Sequence, residues 1–221
     1  MKLTVVAATG GIGRQLLEQA LAAGHDVTAV VRNPAKLPPG VRSVTADLAA
    51  PDPAALATAV TGADAVLSGL GARTTADTGV ATRGTRALVE AMGATGTRRL
   101  IVVSAAPIGT VASPARPNPP KHDPGDGFVM RHLLSPMVRR ILRRHYADLA
   151  EMEDVLRAST VDWTIVRPPR LTDKPLTGRY RTAVDRNLRG GSTIPRADVA
   201  HYMLRAAGEP ASITQTIGIA T

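Results

Sequence analysis

The chain of 221 residues contains no cysteine. That excludes disulfide frameworks, thiolate zinc sites, iron–sulfur clusters and cysteine nucleophiles together. Aromatic side chains are almost as scarce: one Trp, three Tyr and one Phe make up 2% of the residues. So few planar faces leave little for unpaired bases to stack on, which argues against a single-strand nucleic-acid binder. No apolar run approaches the roughly 20 residues that a membrane-spanning helix needs. His122 beside Asp123, and the isolated His25, His132, His145 and His201, lack metal-ligand spacing, so no metal site is expected. Lysine stands only at positions 2, 36, 121 and 174, so 23 of the 27 basic residues are arginine.

What is present fits a globular protein. Apolar residues make up 44% of the chain, enough for one large core without a metal or disulfide staple. The first residues, Met1-Lys2-Leu3-Thr4-Val5-Val6, run directly into a predicted strand without the apolar stretch of a signal peptide. A soluble cytoplasmic protein is expected, with a small-molecule substrate and no membrane partner. The formal net charge of +9 attracts phosphate-bearing ligands over long range but does not name one.

Along the first half, short β-branched runs alternate with helix-period segments, the pattern of a parallel α/β sheet. Residues 3–8 form a continuous apolar run, as a strand buried on both faces requires. From Ile12 the period changes: Ile12, Leu16, Leu17, Ala20 and Leu21 share one helical stripe, closed by Gly24. Further strands are predicted at 26–31, 41–45, 63–67 and 100–103, with helices at about 53–60 and along Val80, Gly84, Ala87, Leu88 and Ala91. Residues 106–126 hold six prolines and read as a loop or lid. Residues 128–145 read as a basic helix bent at Pro136. Its Arg131, Arg139, Arg140, Arg143 and Arg144 form a solvated face rather than a nucleic-acid surface, since no helix-turn-helix signature accompanies them. A helix at 147–158 carries Glu153 and Arg157 as an i,i+4 pair. Strands at 162–166, 179–184 and 213–219, and a helix from about Pro195, complete one Rossmann-type α/β unit. It comprises a doubly wound parallel sheet, a small C-terminal substrate lobe and a helical insert at about 106–145.

Between the first strand and helix lies Ala7-Ala8-Thr9-Gly10-Gly11-Ile12-Gly13. A turn in that position needs residues without a Cβ, so that backbone N–H groups at the helix start reach a pyrophosphate. Gly10 and Gly13 meet the need, while Ala7 stands where such fingerprints usually begin with Gly. An NAD site would place an acid at the end of the second strand, to bind the ribose 2′-hydroxyl. Here the strand runs into Arg32-Asn33-Pro34-Ala35-Lys36. Arg32, with Lys36 as a second cation, suits a 2′-phosphate, so the residues read as an NADP(H) site.

These residues, with Asp47-Leu48, resemble the atypical short-chain dehydrogenase/reductases of the NAD(P)-binding, NmrA-like group. Trp163-Thr164-Ile165-Val166-Arg167-Pro168-Pro169, Pro175-Leu176-Thr177-Gly178-Arg179-Tyr180 and Ile194-Pro195-Arg196-Ala197-Asp198-Val199-Ala200 are similar to the biliverdin-IXβ/flavin reductases in particular. The resemblance implies that Thr9, Gly10, Gly11, Ile12 and Gly13 hold the pyrophosphate and Arg32 the 2′-phosphate. It places Asp47 and Leu48 beside the adenine, and Gly69, Leu70, Gly71 and Arg73 along the cofactor. Ser104 falls beside the nicotinamide, and Pro168, Pro169 and Arg170 close the active site. Ser104 and Arg170 are thus the candidate catalytic residues, although the flavin reductases typically have His where this chain has Arg170.

The Tyr-x-x-x-Lys pair of ordinary short-chain dehydrogenases is absent, because the residues four before Lys36, Lys121 and Lys174 are Arg32, Pro117 and Arg170. Hydride transfer to a flavin needs little beyond placing two rings against each other. An NADPH-dependent reductase of FMN, another flavin or a similar planar acceptor therefore leads. A non-redox isomerase or cyclase on the same fold, or an NmrA-like dinucleotide sensor without turnover, are the alternatives.

Overall fold

The computed structural model describes residues 1–72, 74, 77–125 and 142–221. Arg73, Pro136 and the predicted basic helix up to residue 141 lie outside them. Ten strands are described: β1 (Lys2–Val6), β2 (Asp26–Val31), β3 (Arg42–Thr45), β4 (Ala65–Ser68), β5 (Arg99–Val103), β6 (Asp162–Arg167), β7 (Arg170–Thr172), β8 (Arg181–Val184), β9 (Thr193–Pro195) and β10 (Gln215–Ala220). The α-helices among the described residues are α1 (Gly11–Ala22), α2 (Pro53–Val60), α3 (Val80–Thr95), α4 (Arg143–Arg157) and α5 (Arg196–Ala207).

Eight strands form one sheet in the order β3-β2-β1-β4-β5-β6-β10-β8, parallel throughout except for β8 against β10. The order 3-2-1-4-5-6 is that of a doubly wound Rossmann sheet, which binds its ligand beyond the carboxyl ends of the strands. Alternate residues feed two cores. Leu3, Val5, Val27, Ala29, Leu67 and Ile101 pack under α1 and α5. Val6, Val30, Val66, Leu100 and Val102 pack under α2, α3 and α4. Burial on both faces explains why these strands read as unbroken apolar runs. Met152 and Trp163 lie in the second of these cores and Met203 in the first.

The C-terminal lobe is modest. β10 and β8 extend the main sheet, while β7 and β9 form a separate two-stranded parallel ribbon. The proline-rich segment is not loop throughout. It opens with a 3-10 turn, Ala106–Thr110, where Pro107 presets the backbone and the Thr110 hydroxyl donates to the Pro107 carbonyl at 3.0 Å. Among the described residues, no helix is long and apolar enough to cross a membrane.

Candidate functional site

The β1–α1 turn is built by close backbone approach. A Cβ on Gly13 would run into the carbonyl of Ala7, and one on Gly69, just past β4, would lie 2.9 Å from the Gly13 nitrogen. Gly13 and Gly69 therefore press the end of β4, the turn and the start of α1 together. Ala7 takes a left-handed conformation at φ 57°, the conformation that a first glycine would take without cost. Gly10 donates to the Ala7 carbonyl at 2.7 Å and caps α1 with no side-chain bond, and the first turn holds no acid. The positive end of α1 is thus left to an anion. Ile12 is buried in the core below, so only its backbone faces the turn.

Two grooves flank this turn. The first gathers Thr9, Arg32, Asp47, Leu48, Leu70 and Gly71, all singled out from sequence, together with Asp77 and Val80. Gly84 lets α3 approach Leu48 and Leu70 from behind, since a Cβ there would lie 3.1 Å from the Leu48 Cβ. Arg32 is exposed at the rim, its Nη1 3.9 Å from Asp77 Oδ1. Asp47 Oδ1 accepts from the Ala49 nitrogen at 3.0 Å and so orders its own loop. Lys36 is exposed on the 3-10 turn Pro34–Lys36 and does not line this groove.

The second groove, of about 270 Å³, joins Thr9, Gly10 and Gly11 to the cations Arg14, Lys174 and Arg196. Arg196 lies across the helix start: a Cβ on Gly11 would meet its Nε at 2.7 Å. Its Nη1 is held 2.6 Å from Asp173. In sequence Arg196 is one residue of the segment 194–200, with nothing local to tie it to the glycine turn. Only the packing of α5 against α1 brings it to the glycine turn.

Farther along the same sheet edge, Ser104 follows β5 and is buried. Its hydroxyl donates to Glu153 Oε1 at 2.7 Å. Arg167 Nε donates to that oxygen at 2.8 Å, and Arg167 Nη2 and Arg157 Nη2 donate to Oε2, the latter at 2.8 Å. Burial by itself would raise the Glu153 carboxyl, but the two guanidinium groups and the Ser104 bond outweigh it and hold the group below the usual carboxylate range. The i,i+4 pair visible in sequence is therefore one side of a buried network. Pro168 is buried and its carbonyl accepts from the Ala106 nitrogen at 2.9 Å, while Pro169 is half-buried. Arg170 is exposed on β7, and no hydrogen bond or ion pair joins it to Ser104.

The donor set fits a dinucleotide: an uncapped helix start between two grooves, a cation at the rim of one, three cations in the other, and apolar walls from Leu48 and Leu70. Among the described residues no cluster of His, Asp or Glu could hold a metal ion.

Fold and grooves together define an α/β dinucleotide-binding protein. The chain belongs to the NAD(P)H-binding family, whose sequence model matches residues 7–210. Among solved structures it is similar to the oxidoreductase ylbE from Lactococcus lactis, with TM-score 0.79 and 21% identity over 100% of this chain and 91% of that one. It is also similar to a short-chain dehydrogenase/reductase from Veillonella parvula in complex with NADP, with TM-score 0.78 and 21% identity over 100% and 94% of the two chains. The anaerobillin reductase ChuY from Escherichia coli O157:H7 matches with TM-score 0.76 and 23% identity over 100% and 97%. At these identities the three share its fold.

Proposed function

We propose that this protein is an NADPH-dependent reductase that delivers hydride to FMN, another flavin or a similar small planar acceptor. The observation that carries the reading is Arg32 at the rim of a groove that shares Thr9 with the groove over the uncapped start of α1. In this reading the backbone N–H groups of Gly10–Gly13 hold the pyrophosphate, with Thr9 beside them and Arg196 as an added cation. Arg32 binds the 2′-phosphate, with Lys36 near it as a second charge. Leu48 and Leu70 flank the adenine, and Asp47 orders the loop that carries Leu48. Gly69 and Gly71 keep the wall of the groove close to the cofactor. Ser104 stands at the nicotinamide end, and Pro168, Pro169 and Arg170 border the acceptor. When bound, NADPH supplies the hydride, so the protein's work is to place and enclose two rings. Similarity to an NADP-complexed protein and to an anaerobillin reductase supports both halves of the reading.

A fluorescence titration with NADPH and, separately, NADH tests it. Tight NADPH binding that Arg32→Ala weakens, followed by NADPH oxidation with FMN or a related acceptor, is the expected result. Binding of neither nucleotide, or binding of NADPH without oxidation by any planar acceptor, overturns it. The second outcome would favour the sensor.

A further inference from the structure

The bonds around Ser104 fix more than its position. Glu153 is fully buried, and its two oxygens receive Arg167 twice, Arg157 once and Ser104 once. An ionised carboxylate accepts hydrogen bonds and has no proton to give. In the 2.7 Å contact between Ser104 Oγ and Glu153 Oε1, the hydroxyl must therefore be the donor. The backbone N–H of Ser104 is committed as well, to the Val166 carbonyl at 2.7 Å. What the Ser104 hydroxyl keeps for a ligand is acceptor capacity alone.

We propose that Glu153 is a positioning residue for the nicotinamide end of the cofactor: by holding the Ser104 proton it fixes Ser104 as a hydrogen-bond acceptor, suited to a carboxamide N–H and unable to protonate a reduced product. The proposal rests on the NADPH-reductase reading and deepens it by narrowing the acceptor. NADPH, when bound, would supply the hydride, two electrons and one proton, to the acceptor; with the Ser104 proton held by Glu153, any further proton would come from water. Conjugated acceptors that spread the added charge meet this condition. An isolated ketone, which needs an acid at its oxygen, does not.

Calorimetric titration of the unmodified protein reads this polarity. NADP⁺ is compared with its 3-acetylpyridine analogue, which keeps the ring carbonyl but has no amide N–H. An acceptor at Ser104 makes NADP⁺ bind about 3- to 10-fold tighter, the range of one net hydrogen bond. Ser104→Ala abolishes that preference, and Ser104→Thr keeps it. Glu153→Gln, whose amide N–H would face Ser104 and turn its hydroxyl outward, abolishes or reverses it. Adenosine 2′,5′-bisphosphate, which lacks the nicotinamide, binds the wild type and each variant alike.

Equal affinity of the wild type for the two dinucleotides overturns the proposal while leaving cofactor binding intact, and so does a preference that survives Ser104→Ala or Glu153→Gln. Failure of the wild type to bind any of the three ligands overturns the NADPH reading and the proposal with it. Where Glu153→Gln does not fold, proton NMR of the wild type decides. A slowly exchanging Ser104 hydroxyl resonance that persists in the NADP⁺ complex supports the proposal, and its loss on binding overturns it.

Discussion

At the scale of single residues, the rim of the groove lined by Leu48 and Leu70 sets a cation against an acid. Arg32 lies 3.9 Å from Asp77, at a partly exposed site where the attraction is worth little by itself. A 2′-phosphate would compete with Asp77 for the same guanidinium and would feel the acid's repulsion. Arg32→Ala is expected to weaken NADPH binding about 10- to 100-fold, the range of a hydrogen bond to a charged group, with NADH little changed. Asp77→Asn is expected to tighten NADPH binding a few-fold, and calorimetric titration of both variants checks the pair. Ala7 offers a second test, because its left-handed backbone costs an L-residue about 1 kcal/mol or more. Ala7→Gly removes that cost and is expected to raise the melting temperature by roughly 2–4 °C per kcal/mol recovered. An unchanged or lower melting temperature would show that the turn is already relaxed.

At the scale of elements, α3 begins without a cap of its own. Gly79 stands at its N-cap in the left-handed conformation and has no side chain to offer. The cap comes from α4: Asp148 is buried and accepts from the Ala81 nitrogen at 3.1 Å, the Thr82 nitrogen at 2.9 Å and the Thr82 hydroxyl at 2.7 Å. Val80, which lines the same groove as Leu48 and Leu70, is thereby fixed through a neighbouring helix. Asp148→Ala strands two buried N–H groups and is expected to cost about 2–4 kcal/mol in chemical denaturation, with Asp148→Asn in between. This cap also marks where the sequence stops being informative. The strands were legible because burial on both faces leaves continuous apolar runs, and α1 because its stripe follows a glycine turn. The Arg32 rim was legible because it lies in the chain segment that leaves β2. Asp148, Asp77, Arg196 and the inner face of Glu153 were not, since each meets its partner only after distant segments pack. β7 and β9, three residues each, are too short to show a period.

At the scale of the whole molecule, one carboxylate joins four parts of the structure. Glu153 on α4 holds Ser104 after β5, Arg167 at the end of β6, and Arg157, whose Nη2 also lies 3.4 Å from the Thr216 hydroxyl on β10. Ser104 and Arg167 sit at the carboxyl ends of β5 and β6, on the edge that carries both grooves, so the ionisation of Glu153 bears on the fold and on that edge together. The Glu153 carboxyl is held below its ordinary value of about 4.3 in the folded protein and returns to it on unfolding. Its contribution to stability is therefore fully present above about pH 4.3 and is lost as the pH falls through the lower, folded value. The measurement is the urea midpoint of the wild type and Glu153→Gln between pH 7 and pH 3. The variant is less stable at pH 7, because the buried Arg167 loses its counter-charge and the more exposed Arg157 loses its partner. Its deficit narrows toward pH 3, since the wild-type glutamate is then neutralised as well. Parallel curves for the two proteins would mean that Glu153 does not couple this junction to pH. Convergence would identify the carboxylate bonded to Ser104 as one whose tie between the ends of β5 and β6 is lost in acid.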